Sequence, residues 1–102
     1  MKDLYFDYNA TTPVLPEVFQ AMRPYLEGRF GNPASGHAWG LEAREAVKNA
    51  RAQVARLINA TPEEIHFTSC ATESNNMVVQ GVMSAGGTLV TTAVEHPAVL
   101  EP

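Results

Sequence analysis

The sequence predicts an α/β fold with a parallel sheet, because helical and strand-like segments alternate along most of its 102 residues. Two short segments with the character of buried strands, 65–68 and 88–92, are each followed by a turn and the start of a predicted helix. This order is typical of parallel strands whose faces are covered by helices. Two such strands leave a sheet without neighbours, so we expect the fold to be incomplete within this chain.

The first forty residues predict a strand, a helix and a long loop. Residues 4–8 are aromatic and apolar, as in a short strand. Pro16 suits the first position of a helix, where its missing N–H costs nothing. Pro24 predicts a kink or an early end of that helix. Residues 28–40 contain four glycines and a proline and predict a long irregular loop, which in compact domains is often functional. The helix is further indicated by apolar residues three to four positions apart: Val18, Phe19, Met22 and Leu26.

The rest of the chain predicts two more helices and the beginning of another. Residues 41–59 have one apolar face and one charged face, as in a helix at a protein surface. Residues 61–64 predict a single capped turn. A helix is predicted from Ser74 to about Ala85, ended by two glycines. Residues 95–97 predict the opening of a last helix.

Composition and charge narrow the possible functions. The chain is 45% hydrophobic and 18% charged, which is ordinary for a globular domain, and its net charge of −4 offers no basic surface for nucleic acid. No apolar run approaches the roughly 20 residues that span a membrane, and the N-terminus lacks the pattern of a signal peptide. With Cys70 as the only cysteine, no internal disulfide can form. We therefore expect a soluble cytoplasmic domain without partners among membranes or nucleic acids.

The segment from Phe67 to Asn76 predicts an anion site. It reads as the end of a strand, a turn of small residues and the start of a helix, whose first N–H groups and positive dipole end attract a phosphate. Thr72 adds a hydroxyl donor. The alternative is that Thr72 only caps its helix, a common role for threonine. The segment lacks the lysine of a nucleotide P-loop and the spaced glycines of a dinucleotide site.

His96 follows the second predicted strand as the anion turn follows the first. Because the carboxyl ends of parallel strands meet at one edge of a sheet, we expect Thr72 and His96 to lie together. An imidazole there can stack on an aromatic ring or act as an acid or base. Cys70 has a helix start beside it that lowers a thiol pKa, but we interpret it as a small packing residue. No set of residues has metal-ligand spacing.

With these residues in place, the chain resembles the amino-terminal part of cysteine desulfurases of the NifS/IscS type, within the class V pyridoxal-phosphate enzymes. The resemblance spans essentially all 102 residues, and details such as Cys70 and Thr91-Thr92 bring it closer to the NifS branch. It rests on five blocks in order: Asp7-Tyr8-Asn9-Ala10-Thr11-Thr12-Pro13, Phe30-Gly31-Asn32-Pro33-Ala34-Ser35 with His37 and Gly40, Ala50-Arg51, Phe67 to Asn76, and Glu95-His96-Pro97-Ala98-Val99-Leu100.

The resemblance implies the beginning of the fold-type I pyridoxal-phosphate transferase fold, a parallel-rich sheet flanked by helices. Residues 1–40 would form an N-terminal arm and the active-site mouth, and residues 41–102 the first part of the large cofactor-binding domain. The cofactor implied is pyridoxal 5′-phosphate. Ala71 and Thr72 would hold its phosphate, and His96 would stack on its ring and help to move protons in catalysis.

The resemblance also implies a reaction and its partners. The family converts L-cysteine to L-alanine and passes the sulfur to a protein persulfide for iron–sulfur cluster assembly. The partners implied are the remainder of the desulfurase chain, a second copy in a homodimer and an iron–sulfur scaffold protein that accepts the sulfur. The segments around four residues would line the active-site mouth: Asn9, Ala10, Thr11 and Asn32.

The chain departs from the family pattern because it lacks residues that the family uses in catalysis. The lysine that binds the cofactor covalently has no counterpart, since Lys2 and Lys48 are the only lysines and neither is placed for the role. The persulfide cysteine is also missing, and Cys70 does not replace it. We therefore expect the isolated chain to be inactive. Two alternatives stay open: another class V enzyme, such as a selenocysteine lyase or an aminotransferase, and a truncated fragment that only packs or dimerises.

Overall fold

A computed structural model describes residues 4–101 of the chain, which forms two compact units, Met1–Pro62 and Glu63–Pro102. The first unit contains two helices and the second contains two more. The predicted division of roles at residue 40 concerns function and stays a prediction. The elements are α1 at Pro16–Glu27, α2 at Ala38–Leu57, a 3₁₀ turn at Pro62–Glu64, α3 at Ala71–Met83 and α4 at Pro97–Leu100.

Helix α1 begins as the sequence predicts and ends later. Pro16 follows the N-cap residue Leu15 and occupies the first turn. Pro24 was expected to kink or end the helix, but α1 continues through it to Glu27. The Pro24 carbonyl accepts hydrogen bonds from the N–H groups of Gly28 at 3.0 Å and Arg29 at 2.8 Å. The chain beyond the proline therefore stays bonded to the last turn. The predicted early end is wrong, and the predicted kink stays a prediction.

Helix α2 starts three residues before the predicted position, within what was expected to be loop. The cause is His37, whose extended backbone and Nδ1 atom cap the helix by accepting the Gly40 N–H at 3.3 Å. Histidine is not among the usual N-cap residues, so the sequence rules place the start too late. At the other end Asn59 has a φ of 57°, the left-handed conformation that commonly follows a helix.

The second unit consists of α3 and α4, which pack against each other. Helix α3 also starts three residues before the predicted position, at Ala71 instead of Ser74. The N-cap is Cys70, so Thr72 belongs to the first turn and does not cap the helix. Helix α4 opens at Pro97 as predicted, with His96 as its N-cap.

The predicted strands are absent from the described residues. Segments 4–8, 65–68 and 88–92 carry no strand assignment, and residues 4–101 contain no sheet. A strand is defined by hydrogen bonds to a neighbouring strand, and no segment of the described chain offers that pairing. The helices of the α/β prediction are thus confirmed, whereas its parallel sheet is not confirmed by the described residues.

Few side chains are buried in the described residues. Those of the apolar core are small, apart from one isoleucine, and they are Ala43, Ala55, Ile65 and Ala98. The apolar face of α1 faces outward, with Phe19 51% and Leu26 67% exposed. Contiguous exposed apolar surface of this kind indicates a face that another structure covers.

Candidate functional site

The first turn of α3 presents backbone donors. Cys70 is extended, with φ −165° and ψ 172°, and its side chain makes no capping hydrogen bond. Ala71 and Thr72 are the first two helical residues, so their N–H groups have no acceptor within the helix. The helix dipole adds a partial positive charge at the same place. This end of α3 therefore has the donors that an anion requires.

The thiol of Cys70 shows how these donors converge. Its pKa lies below the ordinary value of 9.0, chiefly because the backbone N–H of Glu73 and the hydroxyl of Ser69 interact with it, with smaller contributions from the N–H and hydroxyl of Thr72. The Ser69 Oγ–Cys70 Sγ distance is 3.8 Å. Cys70 is exposed in this chain, and our interpretation of it as a packing residue stays a prediction for the complete protein. The same donors that favour a thiolate would favour phosphate oxygens.

The turn is tied to the helix that follows it by side chains. Glu73 Oε2 accepts hydrogen bonds from the backbone N–H of Ser69 at 2.7 Å and from its hydroxyl at 2.6 Å. These two bonds hold the pKa of Glu73 below its ordinary value of 4.5. The hydroxyls of Thr68 and Ser74 lie 2.6 Å apart, where one donates to the other, and both oxygens lie within hydrogen-bond distance of the Cys70 carbonyl, at 3.2 and 3.3 Å. The turn is thus fixed on both sides of Cys70.

Of the two ring nitrogens of His96, Nδ1 accepts a hydrogen bond within the chain and Nε2 takes no part in that bond. Its Nδ1 accepts the N–H of Ala98 at 3.1 Å, which caps α4 and fixes the ring at the start of that helix. In the neutral imidazole the proton then resides on Nε2, because Nδ1 acts as the acceptor. Nε2 is the atom with which His96 can exchange a proton with a bound molecule.

Thr72 and His96 line the same cavity. Its volume is about 290 Å³, and Pro97 and Ala98 form part of its wall. The sequence reasoning expected the two residues to lie together because both would follow strands of a sheet. They meet instead through the packing of α3 against α4. Their roles toward a cofactor stay predictions.

Two further residues of this cavity, Asn76 and Glu101, were not singled out from the sequence. Asn76 lies one helical turn after Thr72, and its Nδ2 donates to the Thr72 carbonyl at 2.9 Å. The spacing of four residues between Thr72 and Asn76 was the available signal, since such residues share a helix face. Glu101 gave no signal of this kind.

The predicted mouth residues Asn9, Ala10 and Thr11 lie in the first unit, in a turn before α1. The N–H groups of Ala10 and Thr11 donate to the Asp7 carbonyl at 3.1 and 3.4 Å. The Tyr5 hydroxyl reaches the Asp7 carbonyl at 2.8 Å and the Thr11 carbonyl at 3.4 Å. These bonds give the segment a defined shape, and its role at an active-site mouth stays a prediction.

Asn32 also lies in the first unit, in the loop before α2. Its Oδ1 accepts the Ala34 N–H at 2.9 Å, and its carbonyl accepts the Ser35 N–H at 2.9 Å. Arg44 of α2 holds the same loop by donating from Nε to the Pro33 carbonyl at 2.9 Å. Asn32 therefore shapes the loop, and its role at the mouth is likewise a prediction.

Close packing also constrains this loop through its glycines. At Gly31 a Cβ atom would collide with the Trp39 carbonyl, and at Gly40 it would lie 2.6 Å from the Asn32 carbonyl oxygen. The rings of Phe30 and Trp39 lie 5.3 Å apart. Loop and helix thus fit together only without side chains at the two glycine positions.

No group of three or more histidine, cysteine or acidic side chains in residues 4–101 could hold a metal ion. Within the same residues, no helix combines the length and the apolar character needed to cross a membrane.

Comparison with known proteins identifies the class of protein that this site belongs to. Residues 4–102 match the family described as aminotransferase class-V. The match covers almost the whole sequence, so the chain belongs to the aminotransferase class-V family.

The relatives are more specific. The chain is similar to the cysteine desulfurase IscS of Dictyoglomus turgidum, with 50% identity over 99% of the chain and 27% of the relative. It is 56% identical to the IscS of Pseudomonas syringae pv. syringae and 53% identical to that of Azotobacter vinelandii, over 96% of the chain and 26% of each relative. The resemblance found in the sequence is confirmed. The chain spans about a quarter of the length of these relatives.

A solved structure shows a similar fold. A protein titled "NIFS-LIKE PROTEIN" superposes with a TM-score of 0.88 and 43% sequence identity, over 96% of this chain and 28% of that one. The chain therefore shares the fold of a segment of a NifS-like protein. Because both the IscS and the NifS names occur among its relatives, the closer likeness to the NifS branch stays a prediction.

Proposed function

We propose that the chain is the amino-terminal part of a pyridoxal-phosphate-dependent cysteine desulfurase, which converts L-cysteine to L-alanine and passes the sulfur to a protein persulfide. The observation that supports this most directly is the open first turn of α3 beside a cavity that Thr72 and His96 share. Sequence identity of about half to relatives named cysteine desulfurase supports the same reaction.

The donor set fits the cofactor's phosphate. The N–H groups of Ala71 and Thr72 have no acceptor in α3, and the donors around them already favour a negative sulfur at Cys70. In this proposal Ala71 and Thr72 bind the phosphate of pyridoxal 5′-phosphate, which supplies an electron sink for the bonds of the substrate's α-carbon when it is bound. Small side chains at the helix start allow a close approach to the backbone.

His96 is proposed to lie against the cofactor ring and to move a proton through Nε2. Its Nδ1 is occupied by the Ala98 N–H, which fixes the orientation of the ring and leaves Nε2 for exchange. The shared cavity of about 290 Å³ gives a ligand access to both His96 and Thr72. In this proposal Thr72 binds the anion and His96 transfers the proton, and both residues line the same cavity.

The chain does not carry every residue that the reaction needs. A lysine is required to hold the cofactor covalently, and Lys48 is a poor candidate because its side chain is 75% exposed and lies 3.8 Å from Glu45. Lys2, the other lysine, lies outside the described residues. We propose that the remainder of the protein supplies the lysine and the persulfide cysteine, and that the isolated chain is inactive.

The same proposal extends to fold, partners and location. In the complete protein, segments 65–68 and 88–92 would be strands of the fold-type I sheet, paired with strands from the remaining polypeptide. The exposed apolar face of α1 is consistent with such an assembly. Cytoplasmic location, a homodimer and an iron–sulfur scaffold protein as the sulfur acceptor follow from the family and are part of the proposal.

The test uses the complete protein that contains this chain. We expect it to bind pyridoxal phosphate, seen as a new visible absorbance band, and to release alanine from cysteine. Replacing Thr72 with valine removes one hydroxyl donor to a charged group, so the Kd for pyridoxal phosphate should rise about tenfold.

The matched control is Ser84→Ala, which removes a hydroxyl from an exposed position at the far end of α3. Its Kd should equal that of the wild type. If the wild-type protein binds no pyridoxal phosphate, the proposed cofactor is wrong. If it binds the cofactor but forms alanine only from another amino acid, another class V reaction replaces the desulfurase.

A further inference from the structure

We propose that Glu73 is a positioning residue that holds the phosphate turn, defined as Ser69–Thr72, in its binding conformation. This inference rests on the proposed function, because it assigns a role toward the phosphate that Ala71 and Thr72 are proposed to bind. Nothing in the sequence pattern pointed to Glu73, whose side chain acts through Ser69 and not through the ligand.

The argument begins with the bonds that Glu73 makes. One carboxylate oxygen, Oε2, accepts both the Ser69 N–H at 2.7 Å and the Ser69 hydroxyl at 2.6 Å. Glu73 is the third residue of α3, where a glutamate in a capping box would reach back to the N–H of the N-cap. Here it reaches one residue further, past Cys70. The carboxylate thus fixes the chain before the helix and leaves the donors of Ala71 and Thr72 available.

The position of this charge needs a reason. A carboxylate close to a phosphate repels it. Both bonds to Ser69 favour the charged form, and their effect lowers the pKa of Glu73, so the carboxylate stays ionised at neutral pH. We therefore infer that the hydrogen bonds of Glu73 to Ser69 favour phosphate binding, by holding the turn in place, more than the negative charge of Glu73 opposes it.

A second tie fixes the turn from the other side. The hydroxyls of Thr68 and Ser74 lie 2.6 Å apart, and both contact the Cys70 carbonyl. This pair holds the backbone carbonyl of Cys70, whereas Glu73 holds the amide and hydroxyl of Ser69. Without the Glu73 carboxylate, Ser69 loses both of its hydrogen bonds to α3, and the turn before the helix is free to change its conformation.

The test compares phosphate-dependent binding in the complete protein. We would measure the Kd of pyridoxal phosphate and of pyridoxal, which lacks the phosphate, for the wild type, Glu73→Ala and Glu73→Gln. Glu73→Ala should raise the Kd of pyridoxal phosphate about tenfold, the effect of losing hydrogen bonds to a charged group, and leave that of pyridoxal unchanged. Glu73→Gln should stay close to the wild type, because an amide oxygen can accept both Ser69 bonds.

Glu17→Ala is the matched control, since Glu17 also lies in the first turn of a helix, α1. It should change neither Kd. The inference is overturned if Glu73→Ala leaves the ratio of the two Kd values unchanged, or if it tightens pyridoxal phosphate binding, as simple charge repulsion requires. Failure of the proposed function is a separate result, because then the wild type binds no pyridoxal phosphate.

A second pair of variants covers the case in which Glu73→Ala does not fold, judged by circular dichroism. Ser69→Ala removes the hydroxyl bond to Glu73 together with the longer contact to Cys70 Sγ, keeps the N–H bond to Glu73, and should raise the Kd ratio severalfold, whereas Glu73→Gln should not. Equal ratios for Ser69→Ala and the wild type would overturn the inference.

Discussion

The N-termini of α2 and α3 begin in the same way and differ in what happens to their free N–H groups. At α2 the His37 ring accepts the Gly40 N–H, and the preceding loop packs closely on the helix. At α3 the Cys70 side chain makes no capping hydrogen bond of ordinary geometry, although the nearby Glu73 N–H lowers the pKa of its thiol, and the turn is held chiefly by the bonds of Glu73 to Ser69. A helix start that is closed by its own chain stabilises the fold, whereas one that is kept open can bind an anion.

The largest loss of stability is expected for Gly40→Ala, at the closed helix end, which is the N-terminus of α2. A Cβ atom there would lie 2.6 Å from the Asn32 carbonyl oxygen and 2.8 Å from Ser35 Cβ, so the loop must move away from α2. We expect the free energy of unfolding to fall by about 1–3 kcal/mol, the usual cost of overpacking. Denaturant unfolding of the complete protein measures this change.

Gly36→Ala is the control for that variant, since a Cβ at Gly36 meets no atom within 4 Å. Its stability should match the wild type within a few tenths of a kcal/mol. A stability loss of similar size in both variants would show that chain flexibility, and not the contact with Asn32, decides the effect at Gly40.

A smaller effect is expected for His37→Ala, which removes the cap of α2. Losing one N-cap bond typically costs about 1 kcal/mol. The Kd for pyridoxal phosphate should not change, because His37 belongs to the closed end. Lys48→Ala, at an exposed position of the same helix, is the control and should leave stability almost unchanged. A His37→Ala variant with full stability and weakened cofactor binding would contradict the distinction between the two helix ends.

The helices were largely predictable from the sequence because their signals are local. Proline at the first turn of α1 and α4, and the apolar period of α2, act within a few residues of one another. The starts of α2 and α3 were placed too late because His37 and Cys70 are unusual N-caps. The predicted strands are not confirmed in this chain, since strand pairing depends on partners that can be distant in sequence.

The candidate site was predictable in part for the same reason. Thr72 and His96 were chosen correctly as neighbours of one cavity, although through strands that the described residues do not form. Glu73 was missed because its partner lies four residues back, which is not the spacing of a capping box. The interpretation of Cys70 as a packing residue rests on its place in a turn that the phosphate would cover, which leaves the thiol no room to attack a substrate.

The smallest effect is expected at the open N-terminus of α3, where the measured quantity is the pH dependence of the rate of alkylation at Cys70. The N–H of Glu73 and the hydroxyl of Ser69 stabilise the thiolate, so its pKa lies below 9.0 and the thiolate fraction at neutral pH exceeds that of an ordinary cysteine. The rate of alkylation at Cys70, followed by mass spectrometry of its peptide, should therefore reach half its maximum below pH 9.0. Ser69→Ala should move this midpoint upward, and Ser84→Ala, which alters the far end of α3, should not. Bound pyridoxal phosphate should slow the alkylation, because its phosphate would compete with the reagent for the same end of the helix. A midpoint at or above 9.0 would mean that the donors of α3 do not converge on this point, and the contrast with the closed end of α2 would then be lost.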